Sequence, residues 1–144
     1  MESPKVPASG ELRFRVTLAT RWSDEDNQNV LNNAVYMTLL EEARYAYFAK
    51  IALLEGSHFP FLLAHTNIAF LAPGRAGAAI EVEMATVHLG RSSFTQAYRL
   101  RDVERGVTLC EAEARLVAWD SARNAKRDMP AAFRARIAEL EGLA

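Results

Sequence analysis

The stretch Arg21-Trp22-Ser23-Asp24-Glu25-Asp26-Asn27-Gln28-Asn29-Val30-Leu31-Asn32-Asn33-Ala34-Val35-Tyr36 changes character halfway along. Residues 23–29 are polar throughout and include Asp24, Glu25 and Asp26, so they read as a loop and not as a core element. Beyond Asn33 the pattern turns helical. Val35, Leu39, Ala43 and Ala46 recur at helix spacing, and Tyr36, Leu40 and Tyr47 widen the stripe. Either Asn32 or Asn33 can cap this helix, because an asparagine side-chain oxygen accepts a hydrogen bond from an early helical N–H. A stripe so wide and so rich in large residues predicts a helix lying deep against a sheet, with Gly56 and Pro60 in its exit loop.

Strand patterns flank the helix on both sides. Leu12, Phe14, Val16 and Leu18 alternate with Arg13, Arg15 and Thr17, the period of a half-buried strand. Leu62 to Leu71 is an apolar run stopped by Pro73-Gly74. Ile80, Val82, Met84 and Thr86 alternate with Glu81, Glu83 and Ala85. Past a turn at Gly90-Arg91-Ser92-Ser93, Phe94, Gln96, Tyr98 and Leu100 alternate with Thr95, Ala97, Arg99 and Arg101. A last long strand sets Cys110, Ala112, Ala114, Leu116 and Ala118 against Glu111, Glu113 and Arg115. Pro130 opens a short terminal helix with Phe133, Ile137 and Leu140 on one side. One strand, a dominant helix, four strands and a short helix make an α+β pattern, an antiparallel sheet packed on the helix.

At 144 residues the chain fits one domain, 11–144, after a Pro/Ser-rich leader at 1–10 that is expected to be flexible. A net charge of −1 argues against a general nucleic-acid binder. The leader is no signal peptide, and no run approaches the ~20 apolar residues of a membrane span, which points to the cytoplasm. The lone Cys110 reads as a small buried hydrophobe.

The polar loop is the best candidate for chemistry. It delivers carboxylates to a helix start, where unpaired N–H groups and the helix dipole stabilise negative charge. A carboxylate there can act on a carbonyl that those N–H groups polarise. Taken alone this signal is weak, since acidic loops before helices commonly serve only for capping and solvation. His58, His65 and His88 show no metal-ligand spacing, and His65 and His88 read as hydrogen-bonded structural residues of strands. No nucleophile elbow, phosphate loop or dinucleotide fingerprint occurs. Gly90-Arg91-Ser92-Ser93 reads equally as a solvated turn or as a phosphate-holding one.

Residues 21–36 resemble the signature of the 4-hydroxybenzoyl-CoA thioesterase family, D-x-D-x-x-G-H-x-N-N-x-x-Y in many members. Glu41-Glu42-Ala43-Arg44 supplies the family's E-x-A-R, Phe70-Leu71-Ala72-Pro73 its F-x-x-P, and Leu89-Gly90-Arg91-Ser92-Ser93-Phe94 is similar to its turn between the third and fourth strands. The similarity spans about Glu11 to Trp119.

The resemblance implies a hot-dog fold, an antiparallel five-stranded sheet wrapped round one long helix, acting as an acyl-CoA thioesterase. Asp26 then takes the place of the catalytic carboxylate, the backbone N–H near Asn33 polarises the thioester carbonyl, and Arg91 with Ser92 or Ser93 contacts the CoA phosphates. Asp24 supports the loop. No metal or cofactor is implied, CoA being part of the substrate. The expected assembly is a homodimer or homotetramer with active sites between subunits, which also suits a sheet whose edges need cover. An acyl-carrier-protein thioesterase and a non-catalytic acyl-CoA sensor are the alternatives. One departure stands out: Asn29-Val30 replaces the family's Gly-His. Asparagine tolerates a left-handed backbone, so the loop is expected to keep its shape while losing a polar group from the pocket region.

Overall fold

The computed structural model of the chain describes residues 2–143. The dominant helix, α1, runs Asn33–Lys50, and Asn32 is its cap, its side chain accepting the Ala34 N–H at 3.0 Å. Its buried face is Tyr36, Leu39, Leu40, Ala43, Arg44, Tyr47 and Phe48. Val35 and Ala46, expected on that face, are only half-buried. The aromatic rings turn toward the sheet and rotate the stripe toward Arg44 and Phe48. Complete burial of a ring such as Phe48 contributes about 2–3 kcal/mol, more than a single methyl such as Ala46 offers.

Five long strands form the antiparallel sheet: β1 (Phe14–Ala19), β2 (Phe61–Phe70), β3 (Ala79–Leu89), β4 (Ser93–Asp102) and β5 (Val107–Asp120). Their order across the sheet is β1-β3-β4-β5-β2. A two-residue β6 (Ala125–Lys126) folds back on the end of β5, and the second helix, α2, runs Ala131–Glu141 behind Pro130. The inner face buries Ile80, Val82, Met84, Phe94, Tyr98, Leu100, Cys110, Ala112, Ala114 and Leu116 beneath α1. Ala112 and Ala114 leave room for the large residues of the helix, so the sheet curls closely around it. Burial pushes the Cys110 thiol up to about 12, and it stays an inert, protonated core group.

A chain of buried hydrogen bonds runs through this core. The Arg44 guanidinium donates to the Tyr98 hydroxyl, which donates to Gln96 Oε1. Gln96 Nε2 donates to the Thr86 hydroxyl, 2.9 Å from the Tyr47 hydroxyl. Glu141, near the end of α2, accepts both the Tyr47 O–H and the Thr86 backbone N–H. Thr86 lies where the β3–β4 register shifts, so Glu141 satisfies an N–H near the irregularity.

The outer face of the sheet carries the leader. Val6 packs with Leu12, Ala85 and Ala97. Arg99 donates to the Pro7 carbonyl at 2.9 Å, Ser9 to the buried Glu83, and Asn67 to the Glu2 carbonyl at 3.1 Å. The segment expected to be flexible therefore crosses the sheet from β3 to β2. His65 and His88 are exposed and make no side-chain hydrogen bond among the described residues, which corrects the reading of them as bonded structural histidines. The register shifts at residues 63/65 and 86/88 fall beside them. No helix among the described residues is long and apolar enough to cross a membrane.

Candidate active site

Residues 24–32 fold back on themselves. Asp26 N–H donates to the Val30 carbonyl at 2.9 Å, Asn29 N–H to the Asp26 carbonyl at 3.1 Å, and Asn32 N–H to the Asp24 carbonyl at 2.8 Å. The turn closes through Asn29, whose φ of 61° is left-handed. Asparagine at residue 29 thus takes the left-handed backbone expected of it, one that glycine also adopts readily. Asn29→Gly is expected to leave the urea midpoint nearly unchanged. Asn29→Val, β-branched at a positive φ, should cost about 1–2 kcal/mol in the same titration.

The loop is anchored on both flanks. Leu31 N–H donates to the Gly74 carbonyl at 3.0 Å, and the Glu25 carboxylate accepts the Ala76 N–H at 3.0 Å. Gly74 needs its missing side chain, for a Cβ there would come within 2.6 Å of Leu31 Cδ1 and 2.9 Å of the Tyr36 hydroxyl. Asp24 is buried and accepts both the Arg21 guanidinium at 3.0 Å and the Arg21 N–H at 2.8 Å. Those bonds hold its carboxyl below the usual carboxylate range, so it is a fixed, charged support.

Asp26 is different. It is half-buried, and its Oδ1 accepts the Gln28 N–H at 2.7 Å, while Oδ2 has no partner among the described residues. The Asn33 N–H, at the first helical position, is likewise without an acceptor among the described residues. One pinned loop therefore presents a carboxylate oxygen and a helix-terminal donor, each with spare hydrogen-bonding capacity.

Arg91, Ser92 and Ser93 lie elsewhere. Phe94, which follows them, packs on Phe48 near the end of α1 at 5.8 Å, whereas Tyr36 at the helix start packs on Phe70 at 5.2 Å. The 18 residues of α1 separate these two ends by about 27 Å at 1.5 Å per residue. The two groups of expected site residues thus sit at opposite ends of the domain. Arg91 is exposed and its Nε lies 3.1 Å from both Asp128 oxygens. Arg134 of α2 donates to the Gly90 carbonyl, and Met129 N–H to the Arg91 carbonyl at 2.9 Å. The sequence reading missed Asp128 and Arg134, because no local periodicity links residues some forty positions apart.

The architecture is that of a hot-dog domain, with the acidic loop at the start of its wrapped helix. The thioesterase superfamily model matches residues 28–109, and the chain belongs to that superfamily. It is a thioester hydrolase by that membership. No curated protein matches it. Among solved structures, a thioesterase of Thermus thermophilus, complexed with coenzyme A and zinc, is 32% identical over 90% of this chain and 95% of that one, with a TM-score of 0.79. A 1,4-dihydroxy-2-naphthoyl-CoA thioesterase of Synechocystis (18%, 89% and 97%, 0.78) and a 12:0-ACP thioesterase of Umbellularia californica (18%, 88% and 53%, 0.76) share the fold. No group of three or more His, Cys, Asp or Glu that could hold a metal is gathered among the described residues.

Proposed function

We propose that the protein hydrolyses an acyl-CoA thioester to the free acid and CoA, with Asp26 as the reacting carboxylate and the Asn33 N–H as donor to the thioester oxygen. The observation that carries this reading is that one pinned loop presents both the Asp26 Oδ2 and the Asn33 N–H, neither with a partner among the described residues. As the C–S bond breaks, water supplies hydroxyl to the acyl carbon and a proton to the departing thiolate. Single turnover in ¹⁸O-water tests the nucleophilic role of the carboxylate: label in Asp26 marks an acyl–Asp26 anhydride that water opens at the Asp26 carbon.

A second copy supplies Arg91, Ser92 and Ser93. Strand β2 ends the sheet, and its inner face leaves Leu63 and Phe70 40% and 46% exposed. The Thr66 hydroxyl on that face is buried without a partner among the described residues. Both the open ladder and the apolar residues call for cover. Antiparallel pairing of two β2 strands sets the Phe61 end of one chain, beside its Gly90–Ser93 turn, against the Phe70 end of the other, beside its helix start. This two-fold arrangement juxtaposes the separated halves of the site. The unit is then a homodimer, and light scattering on the eluting protein separates it from a tetramer.

The deciding experiment is thiol release from a panel of short, long and aromatic acyl-CoAs. Turnover supports the reading, and saturable binding with no turnover by any of them would replace it with an acyl-CoA sensor. In the same assay Arg91→Ala should raise KM several-fold with kcat nearly unchanged, because the contact is remote from the reacting carbon. A KM equal to the parent's would take Arg91 out of the site. The cations around that turn also suit an acidic carrier protein, so one acyl group should be presented both on CoA and on acyl carrier protein. A higher kcat/KM for the carrier would move the assignment to that substrate.

A further inference from the structure

At the Gly90–Ser93 end of the domain, Arg91, Arg123, Lys126, Arg127 and Arg134 outnumber Asp120, Asp128 and Glu55, the last paired with Arg127 at 2.7 Å, although the whole chain carries a net charge of −1. One carboxylate of this region is aimed at the residue assigned to CoA phosphate. Both oxygens of Asp128 lie 3.1 Å from Arg91 Nε. The contact is built from the backbone up: Met129 N–H donates to the Arg91 carbonyl, Arg134 to the Gly90 carbonyl, and Ala118 N–H to the Ser92 carbonyl at 2.8 Å. Turn, β5 and the start of α2 are thereby joined, and Asp128 is held opposite Arg91. The pair itself is open to water, its side chains 86% and 65% exposed, so the bond is weak and yields to a more highly charged anion.

We infer that Asp128 is an internal counter-anion for Arg91, which the phosphates of a bound CoA nucleotide displace, and that it thereby lowers the protein's affinity for CoA thioesters. Asp128 acts here through Arg91 as a positioning residue. It holds the guanidinium at its own carboxylate in the absence of substrate, and each binding event must first release it. The inference rests on Arg91 contacting phosphate, and the test separates the two claims.

The test measures KM for one acyl group carried on CoA and on pantetheine, which lacks the nucleotide and its phosphates. It uses the parent, Asp128→Asn, Asp128→Glu and Arg91→Ala. Asp128→Asn should lower KM for the acyl-CoA about two- to five-fold, the factor an exposed ion pair carries, and so lower the ratio of the two KM values. Asp128→Glu should restore the parent ratio. If Arg91→Ala raises KM for acyl-CoA but Asp128→Asn leaves it the same or higher, the counter-anion role is overturned and the phosphate site stands. If Arg91→Ala leaves the ratio at the parent's value, the phosphate assignment itself fails and the inference with it. Melting temperatures of all variants guard against loss of fold, and an unstable Asp128→Asn leaves Asp128→Ala to make the same comparison.

Discussion

Asp26→Asn should lower kcat for thioester hydrolysis by about 10²–10⁴-fold, the usual contribution of a positioned acid–base group. Its melting temperature and oligomeric state should stay those of the parent. Asparagine retains the oxygen that accepts the Gln28 N–H, so the loop keeps its one side-chain bond at residue 26 and loses only the charge. Activity above a tenth of the parent's would exclude Asp26 as the catalyst. The same variant also tests the two-chain site. Mixed with Arg91→Ala chains and allowed to exchange, it should give hybrids in which one site carries both defects and the other carries neither. At substrate below the parent KM, about a quarter of parental activity should then appear from two impaired proteins, given random pairing of a two-fold dimer. No gain on mixing would place the whole site in one chain.

Glu141→Ala should cost about 2–4 kcal/mol, because it strips the acceptor from two buried donors, the Tyr47 hydroxyl and the Thr86 N–H. For a chain of this length that corresponds to a fall in melting temperature of very roughly 10 °C. Burial, reinforced by the Glu141 charge, pushes the Tyr47 hydroxyl far above the ordinary phenol range, so it stays protonated and must find an acceptor. Tyr47→Phe removes donor and need together and should cost distinctly less. A melting temperature for Glu141→Ala within a degree or two of the parent's would show that α2 is held by its apolar contacts alone.

Much of this fold is written in local periodicity. The alternation at Phe14–Leu18 and Cys110–Ala118, the stripe from Val35 to Tyr47 and the proline at 130 each mark an element without knowledge of its neighbours. The acidic loop was legible for the same reason, since its polarity, its left-handed Asn29 and its cap at Asn32 are properties of consecutive residues. Contacts between distant residues were not. Glu141 on an exposed-looking terminal helix gives no sign that it reaches Thr86, because helix periodicity fixes a face and not its partner. Arg44 is buried beside Tyr98, its guanidinium bonded to that hydroxyl and near its ring, a partner that helix spacing does not name. The separation of Arg91 from Asp26 was hidden too, for strand order and direction place a turn in space, and a motif does not. The leader's Pro/Ser-rich composition suggested a flexible segment, and its backbone carbonyls are what Arg99 and Asn67 seek. Composition does not record backbone acceptors.

The course of that leader bears on how the chain should be handled. Glu2 rests its carbonyl on Asn67, in the second half of β2, so any tag or fusion partner attached ahead of it emerges beside the open strand that a second copy would pair with. The other end of the chain comes out differently: Gly142 lies against Arg13, next to β1 on the opposite rim of the sheet. A tag placed beyond Leu143 leaves β2 clear, and sizing or mixing experiments on an amino-terminally tagged protein would report on the tag as much as on the molecule.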